Sequence, residues 1–229
     1  MVGAYLDDTF IQCNENKVDE ALEIVDDVYK DSFDHGIRLN AEKTEVVKPS
    51  ENKAIKVLGA FVGNDREVSK RYDEIIDKYE NDLAKLKLIY SQDAYILFTK
   101  GIYAKLNYHY RTFMFNEDQI RRLNEITKDF IKSTLLAETA SVGILQELIA
   151  GLPIRYGGAG IFIPEVVNKA GYNASLPICK DIIRKLITTD EPTNSSKFLS
   201  QKEIAKKDYE KIKCLLQNKI PAQFCARLK

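Results

Sequence analysis

Ala4-Tyr5-Leu6-Asp7-Asp8-Thr9-Phe10-Ile11 sets two acidic residues side by side between short apolar runs. Val2 to Leu6 and Thr9 to Ile11 have strand composition, and two aspartates between them suit a tight turn. The expectation is a β-hairpin carrying two carboxylates at its tip. Adjacent carboxylates repel and are hard to bury as anions, so they stay ionised beside water or a cation. Oxygen ligands of this kind suit Mg²⁺, which takes one or two protein carboxylates together with substrate phosphates. For the dipeptide alone, a solvated Asp-Asp turn is the simpler reading.

Working outward, Asn14 to Asp34 reads as a helix. Val18, Ala21, Leu22, Val25, Val28 and Tyr29 recur at three- and four-residue spacing, with Asn14 as N-cap and Gly36 as stop. Asp19, Glu20, Glu23, Asp26, Asp27 and Asp31 fall on the other side and read as a solvated face, not a metal site. Glu45 to Lys48 reads as a short strand and Pro49 to Asn52 as a turn. Ile55 to Val62 is rich in β-branched and large apolar residues, with a bend at Gly59. The expected pattern for residues 1–64 is β–α–β–β, one small antiparallel sheet with one helix packed on it.

A helical regime begins at Asp65. Val68, Tyr72, Ile75, Ile76, Tyr79, Leu83, Leu86 and Tyr90 form one long stripe. A second helix is expected from Ser91 to about Tyr108 and a third, capped by Asn116, to about Leu135. Between Lys85 and Arg111, five cations (Lys85, Lys87, Lys100, Lys105, Arg111) interleave with Tyr90, Tyr95, Phe98, Tyr103, Tyr108 and Tyr110. Cations neutralise phosphates and rings stack on bases, although most such rings serve the core. Val142 to Ala150 reads as a short apolar helix. Gly151 to Pro164 reads as a packing turn: its Gly-Gly-x-Gly lacks the Lys-Ser/Thr of a phosphate loop. Glu165 to Leu186 reads as a helix interrupted at Pro177. Thr188 to Ser196 is a polar linker, and Lys202 to Lys219 a basic amphipathic helix.

Composition bounds the class. The 229 residues allow one good core or two small domains, and 45% hydrophobic with 30% charged residues is ordinary for a globular protein. No signal sequence or membrane-length apolar run is legible, so an intracellular protein of the cytoplasm or nucleus is expected, with no membrane partner. Cys13, Cys179, Cys214 and Cys225 are scattered and form neither a zinc pattern nor a disulfide framework. His35 and His109 have no partners at ligand spacing. The net charge is zero but unevenly spread: residues 1–50 hold 12 acids against 5 Lys and Arg, and residues 197–229 hold 9 Lys and Arg against 3 acids. An acidic end with basic stretches beyond it is within the range of ordinary solvated faces.

Four runs in order resemble a known family. Tyr5-Leu6-Asp7-Asp8 is similar to the Tyr-x-Asp-Asp box of reverse transcriptases. Gly36-Ile37-Arg38-Leu39-Asn40-Ala41-Glu42-Lys43-Thr44 is similar to that family's following motif, and Val57-Leu58-Gly59-Ala60 to its Leu-Gly hairpin. Leu152-Pro153-Ile154-Arg155-Tyr156-Gly157-Gly158-Ala159-Gly160 resembles a run found after the polymerase region of non-LTR (LINE-like) retrotransposon proteins. Together they cover roughly residues 1–176.

The resemblance implies an α+β fold in three parts: the C-terminal half of a palm (1–64), a helical thumb-like domain (65–136) and a helical C-terminal region (137–229). It implies two-metal nucleotidyl transfer with an RNA template, a DNA primer and deoxynucleotides. Asp7 and Asp8 would bind Mg²⁺, Asp7 as the main ligand. Lys43 would donate a proton to the leaving pyrophosphate. Tyr5 would lie against the primer end, Leu58 and Gly59 would grip the primer strand, and Lys85, Lys87, Lys100, Lys105 and Arg111 would contact nucleic acid. The family also uses fingers, an upstream palm half and a further metal-binding aspartate, which are not in these residues. The expectation is therefore a polymerase fragment that is inactive alone. The alternative is a non-catalytic helical module, derived from a reverse transcriptase relic, that binds nucleic acid or protein.

Overall fold

The computed structural model describes residues 2–5, 8–11, 13–31, 40, 42, 44–48, 51–135, 144–161, 163–187, 200, 203–210 and 214. It is an α+β fold, mainly helical, with two small antiparallel sheets. The chain divides into two compact units, Met1–Arg71 and Tyr72–Lys229.

In the first unit, β1 (Val2–Tyr5) pairs antiparallel with β2 (Asp8–Ile11). The hairpin expected from the sequence is present, but shifted by one residue. Asp8 sits opposite Tyr5 inside the ladder, not at a tip shared with Asp7. This register sets Gly3 across from Phe10 and Ala4 across from Thr9, a small residue beside each larger one. A turn of 3-10 helix, Glu15–Lys17, leads into α1 (Val18–Asp31). Asn14 occupies the cap position with extended backbone, yet its side chain makes no capping bond; its carbonyl accepts from Lys17 N–H at 2.9 Å instead. The acidic face of α1 is solvated as expected, with Lys30 paired to Asp26 at 2.6 Å. Its apolar stripe is only half covered, and Leu22, Ile24 and Val28 are exposed.

Residues 44–48 form no strand. β3 (Ala54–Val57) and β4 (Ala60–Gly63) make a second hairpin, separate from the first. The single sheet expected from the sequence is thus two sheets, because no strand at 45–48 joins them among the described residues. The Leu58-Gly59 turn has φ of 49° and 85°, the doubly positive turn whose twist matches paired strands. Glycine at Gly63 is dictated by space and backbone: its φ is 144°, and a Cβ there would lie 2.3 Å from the Lys53 carbonyl oxygen. Asn64 then opens α2 (Asp65–Leu86), its Oδ1 accepting from Arg66 N–H at 3.0 Å.

The second unit owns the core. Tyr72, Ile76, Tyr79, Leu83 and Leu86 are the buried side of α2, at the spacing the stripe predicted; Tyr90, expected as its last member, lies beyond the end of the helix and is exposed. α3 (Ser91–Leu97) passes through a wider π-turn, Phe98–Ile102, into α4 (Tyr103–Thr112). α5 (Glu117–Phe130) starts at Asn116 with a full capping box: Asn116 Oδ1 accepts from Gln119 N–H at 2.9 Å, and Gln119 Oε1 from Asn116 N–H at 3.2 Å. Four polar links run in step along α2 and α5. They join Asp73 to Gln119, Asp77 and Glu80 to Arg122, Tyr79 to Thr127, and Lys87, just beyond α2, to Asp129. The order rises on both helices, so the two run parallel. Between them, rings fill the centre: Tyr72 stacks on Phe113 at 3.9 Å between centroids, and Phe98 meets Phe130 at 4.9 Å. Each fully buried ring of this kind contributes about 2 to 3 kcal/mol.

α6 (Ile144–Gly151), a Gly-rich turn and α7 (Pro164–Ile187) follow. α7 packs on α4 and α5, so residues expected as thumb and as C-terminal region share one core. The interruption expected at Pro177 does not occur; α7 is continuous through it. Proline there removes the partner of the Asn173 carbonyl, and Asn173, Leu176 and Ile178 are all exposed, so water serves that carbonyl. A last helix, α8 (residues 203–210), is opened by Ser200 and Glu203 in a second capping box. It docks through Tyr209 against Leu152, Leu148, Ile149 and Val166.

Candidate functional site

Asp8 opens β2 directly opposite Tyr5. Asp7 and Lys43, the other two residues assigned to catalysis, lie outside the described residues, as do Gly36 to Leu39 of the second motif. Of the expected Mg²⁺ ligand pair, Asp8 alone is placed, by its backbone. Among the described residues no three His, Cys, Asp or Glu side chains converge as a metal site. Leu58 is exposed and Gly59 half-buried at the turn of the second hairpin.

The five cations between positions 85 and 111 divide into two groups. Lys87 pairs with Asp129, while Lys85 is exposed and lies 3.9 Å from Asp82 one helical turn away. Lys100, Lys105 and Arg111 are exposed and have no carboxylate partner among the described residues. The interleaved rings are mostly committed to the interior. Phe98, Tyr103 and Tyr110 are buried, and Tyr95 Oη donates to the Ala159 carbonyl. Burial pushes the phenols of Tyr103 and Tyr110 well above the ordinary tyrosine range, so both stay protonated and inert. Tyr90 and Tyr108 alone among these six rings are exposed.

The Gly-rich run is a packing turn. The N–H groups of Gly157, Gly158, Gly160 and Ile161 all donate inside the turn, to the carbonyls of Ile154, Pro153, Leu152 and Ala150. None is left to cradle a phosphate. A Cβ on Gly158 would lie 2.0 Å from the Leu152 carbonyl oxygen, which is backbone and cannot yield. Gly158→Ala is therefore expected to destabilise the fold by about 2 kcal/mol, read as a fall of several degrees in Tm. His109 packs edge-on to the Tyr72 ring at 5.7 Å, a core position without catalytic geometry. Cys13, Cys179 and Cys214 are free and exposed. An open recess lined by Glu45, Val47, Lys53, Ile55, Glu67 and Arg71 mixes acids and bases and presents no single-sign field. Among the described residues, no helix is long and apolar enough to cross a membrane.

Sequence reasoning did not single out Asn168. It lies on α7, is 2% exposed, and bonds three backbone groups at the end of α4 and just beyond it. Nothing in its local sequence marks it, because its partners are more than 50 residues away. No protein-family model matches the chain, and neither a curated protein nor a solved structure gives a match.

Proposed function

We propose that this chain is the C-terminal part of an RNA-directed DNA polymerase, the reverse transcriptase of a non-LTR retroelement, and that it serves nucleotidyl transfer in a larger polypeptide. The observation that carries the reading is a pair of tight hairpins in motif order. The first places Asp8 beside Tyr5, and the second presents Leu58-Gly59 at its turn. Both precede a helical unit with exposed cations. Asp7 and Asp8 would hold Mg²⁺, which when bound supplies Lewis-acid activation of the primer 3′-hydroxyl and stabilises the leaving oxygen. The part of the chain itself is to orient: Tyr5 and the Leu58-Gly59 turn against the primer, Lys43 as proton donor at the pyrophosphate. With a fingers segment and a further aspartate supplied upstream, the substrates are an RNA template, a DNA primer and deoxynucleotides.

The test is the 5′ end of the transcript, read with the DNA upstream of it. An in-frame extension encoding fingers and a strand with another aspartate supports the polymerase. A start at Met1 preceded by stop codons overturns it and leaves the non-catalytic binding module.

A further inference from the structure

We infer that the outward side of the π-turn and α4 is a docking surface for the sugar–phosphate backbone of a nucleic-acid duplex, built on Lys100, Lys105 and Arg111 around Gly101. This rests on the nucleic-acid part of the proposed function and narrows it to one helix face, excluding Lys85 and Lys87.

Charge is the first support. From Ala94 to Asn116 the sequence has no Asp or Glu, the longest acid-free run around these cations. All three cations are exposed, and no described carboxylate pairs with them. Lys87, by contrast, is held by Asp129, and Lys85 has Asp82 of its own helix at 3.9 Å. The helix dipole accounts for Arg111, in the last turn of α4, but not for Lys100 or Lys105, which lie well before it. From Lys100 to Arg111 the helix advances about 16 Å, enough to face several phosphates.

Gly101 is the second support. Glycine inside a helix destabilises it relative to alanine, so an internal reason is normally found. Here there is none: a Cβ at Gly101 would meet nothing within 4 Å, and its φ is not positive. It sits in a π-turn, a local widening that is frequent at functional positions. What its missing side chain achieves is a bare stretch of helix backbone facing outward between cations, which lets a rigid polyanion approach closely. Between positions 100 and 112 Tyr108 is the one large apolar side chain that is exposed, and a single phenol beside three cations suits a phosphodiester chain better than insertion into a lipid surface.

The experiment is fluorescence anisotropy of a labelled RNA–DNA duplex with the full chain, over a series of salt concentrations. Lys105→Gln/Arg111→Gln is expected to weaken binding about tenfold or more at low salt and to lower the log–log salt slope by about two. Gly101→Leu is expected to keep or raise Tm, since leucine is a better helix former and the space is open, while weakening binding about tenfold. Lys85→Gln/Lys87→Gln is expected to change affinity less than about twofold. If Lys85→Gln/Lys87→Gln takes the loss and the other two variants bind like the wild type, the duplex reading stands and the α4 surface is wrong. If the wild type shows no salt-dependent duplex binding, both fail. Equal competition by phosphatidylserine vesicles would assign the surface to a membrane and overturn the proposal.

Discussion

Asp7→Asn is expected to lower RNA-templated primer extension by about a hundred- to a thousandfold in the parent polymerase, with Asp8→Asn costing less. Loss of one preorganised charge-stabilising group from a reacting centre is typically worth about 3 to 4 kcal/mol of barrier, which gives that range. The asymmetry follows the proposed roles, Asp7 as main ligand and Asp8 as peripheral one. Asp8 stands in the β2 ladder across from Tyr5, so it can be replaced by asparagine without altering backbone pairing. On the proposed reading, the measurement is single-turnover extension with each variant, in a polypeptide that joins the chain to a fingers and upstream palm segment. By itself, the 229-residue chain is expected to extend no more primer than its own Asp7→Asn variant. One hairpin with two acids cannot clamp two metal ions against a triphosphate. Equal rates for wild type and Asp7→Asn in the joined polypeptide would remove Asp7 from the chemistry.

What the sequence made legible was local. The stripe from Val68 to Leu86 told the buried side of α2 because a helix repeats every three to four residues and one side faces the core. Asn116 announced the start of α5, and Gly59 the bend between β3 and β4. Longer-range pairing was not legible. The one-residue shift that carries Asp8 into the ladder is a matter of strand register, which no local run of residues announces. Lys87 looked like a free cation, yet its partner Asp129 is 42 residues away. Pro177 looked like a break, but the solvent beside Asn173 relieves the lost bond. That Lys87 was already paired was written only in the packing of α2 against α5, whereas the Lys85–Asp82 contact is local to α2.

Asn168→Ala is expected to destabilise the fold by about 3 kcal/mol, the largest stability change predicted for a single polar side chain here. Its amide nitrogen donates to the Phe113 carbonyl at 2.8 Å and the Tyr110 carbonyl at 3.2 Å, and its Oδ1 accepts from Phe115 N–H at 3.1 Å. The chain leaves α4 at Phe113 in extended conformation, so these groups lie where helical bonding has ended. Tyr110 and Phe115 are themselves buried, which denies water ready access once the amide is gone. Each orphaned group costs about 1 kcal/mol or more, and three give the estimate. A drop of about 6 to 12 °C in Tm should follow for a unit of this size. Asn168→Asp separates hydrogen bonding from packing. A carboxylate keeps the acceptor toward Phe115 but faces two carbonyl oxygens, so burial and repulsion raise its folded pKa above the unfolded value. The acid form can still donate one bond. The variant should therefore be most stable below the unfolded aspartate pKa and lose stability as pH rises from there to the raised folded value. Thermal melts across that range decide the matter: a flat profile would mean that Asn168 fills space and does not bridge the backbone.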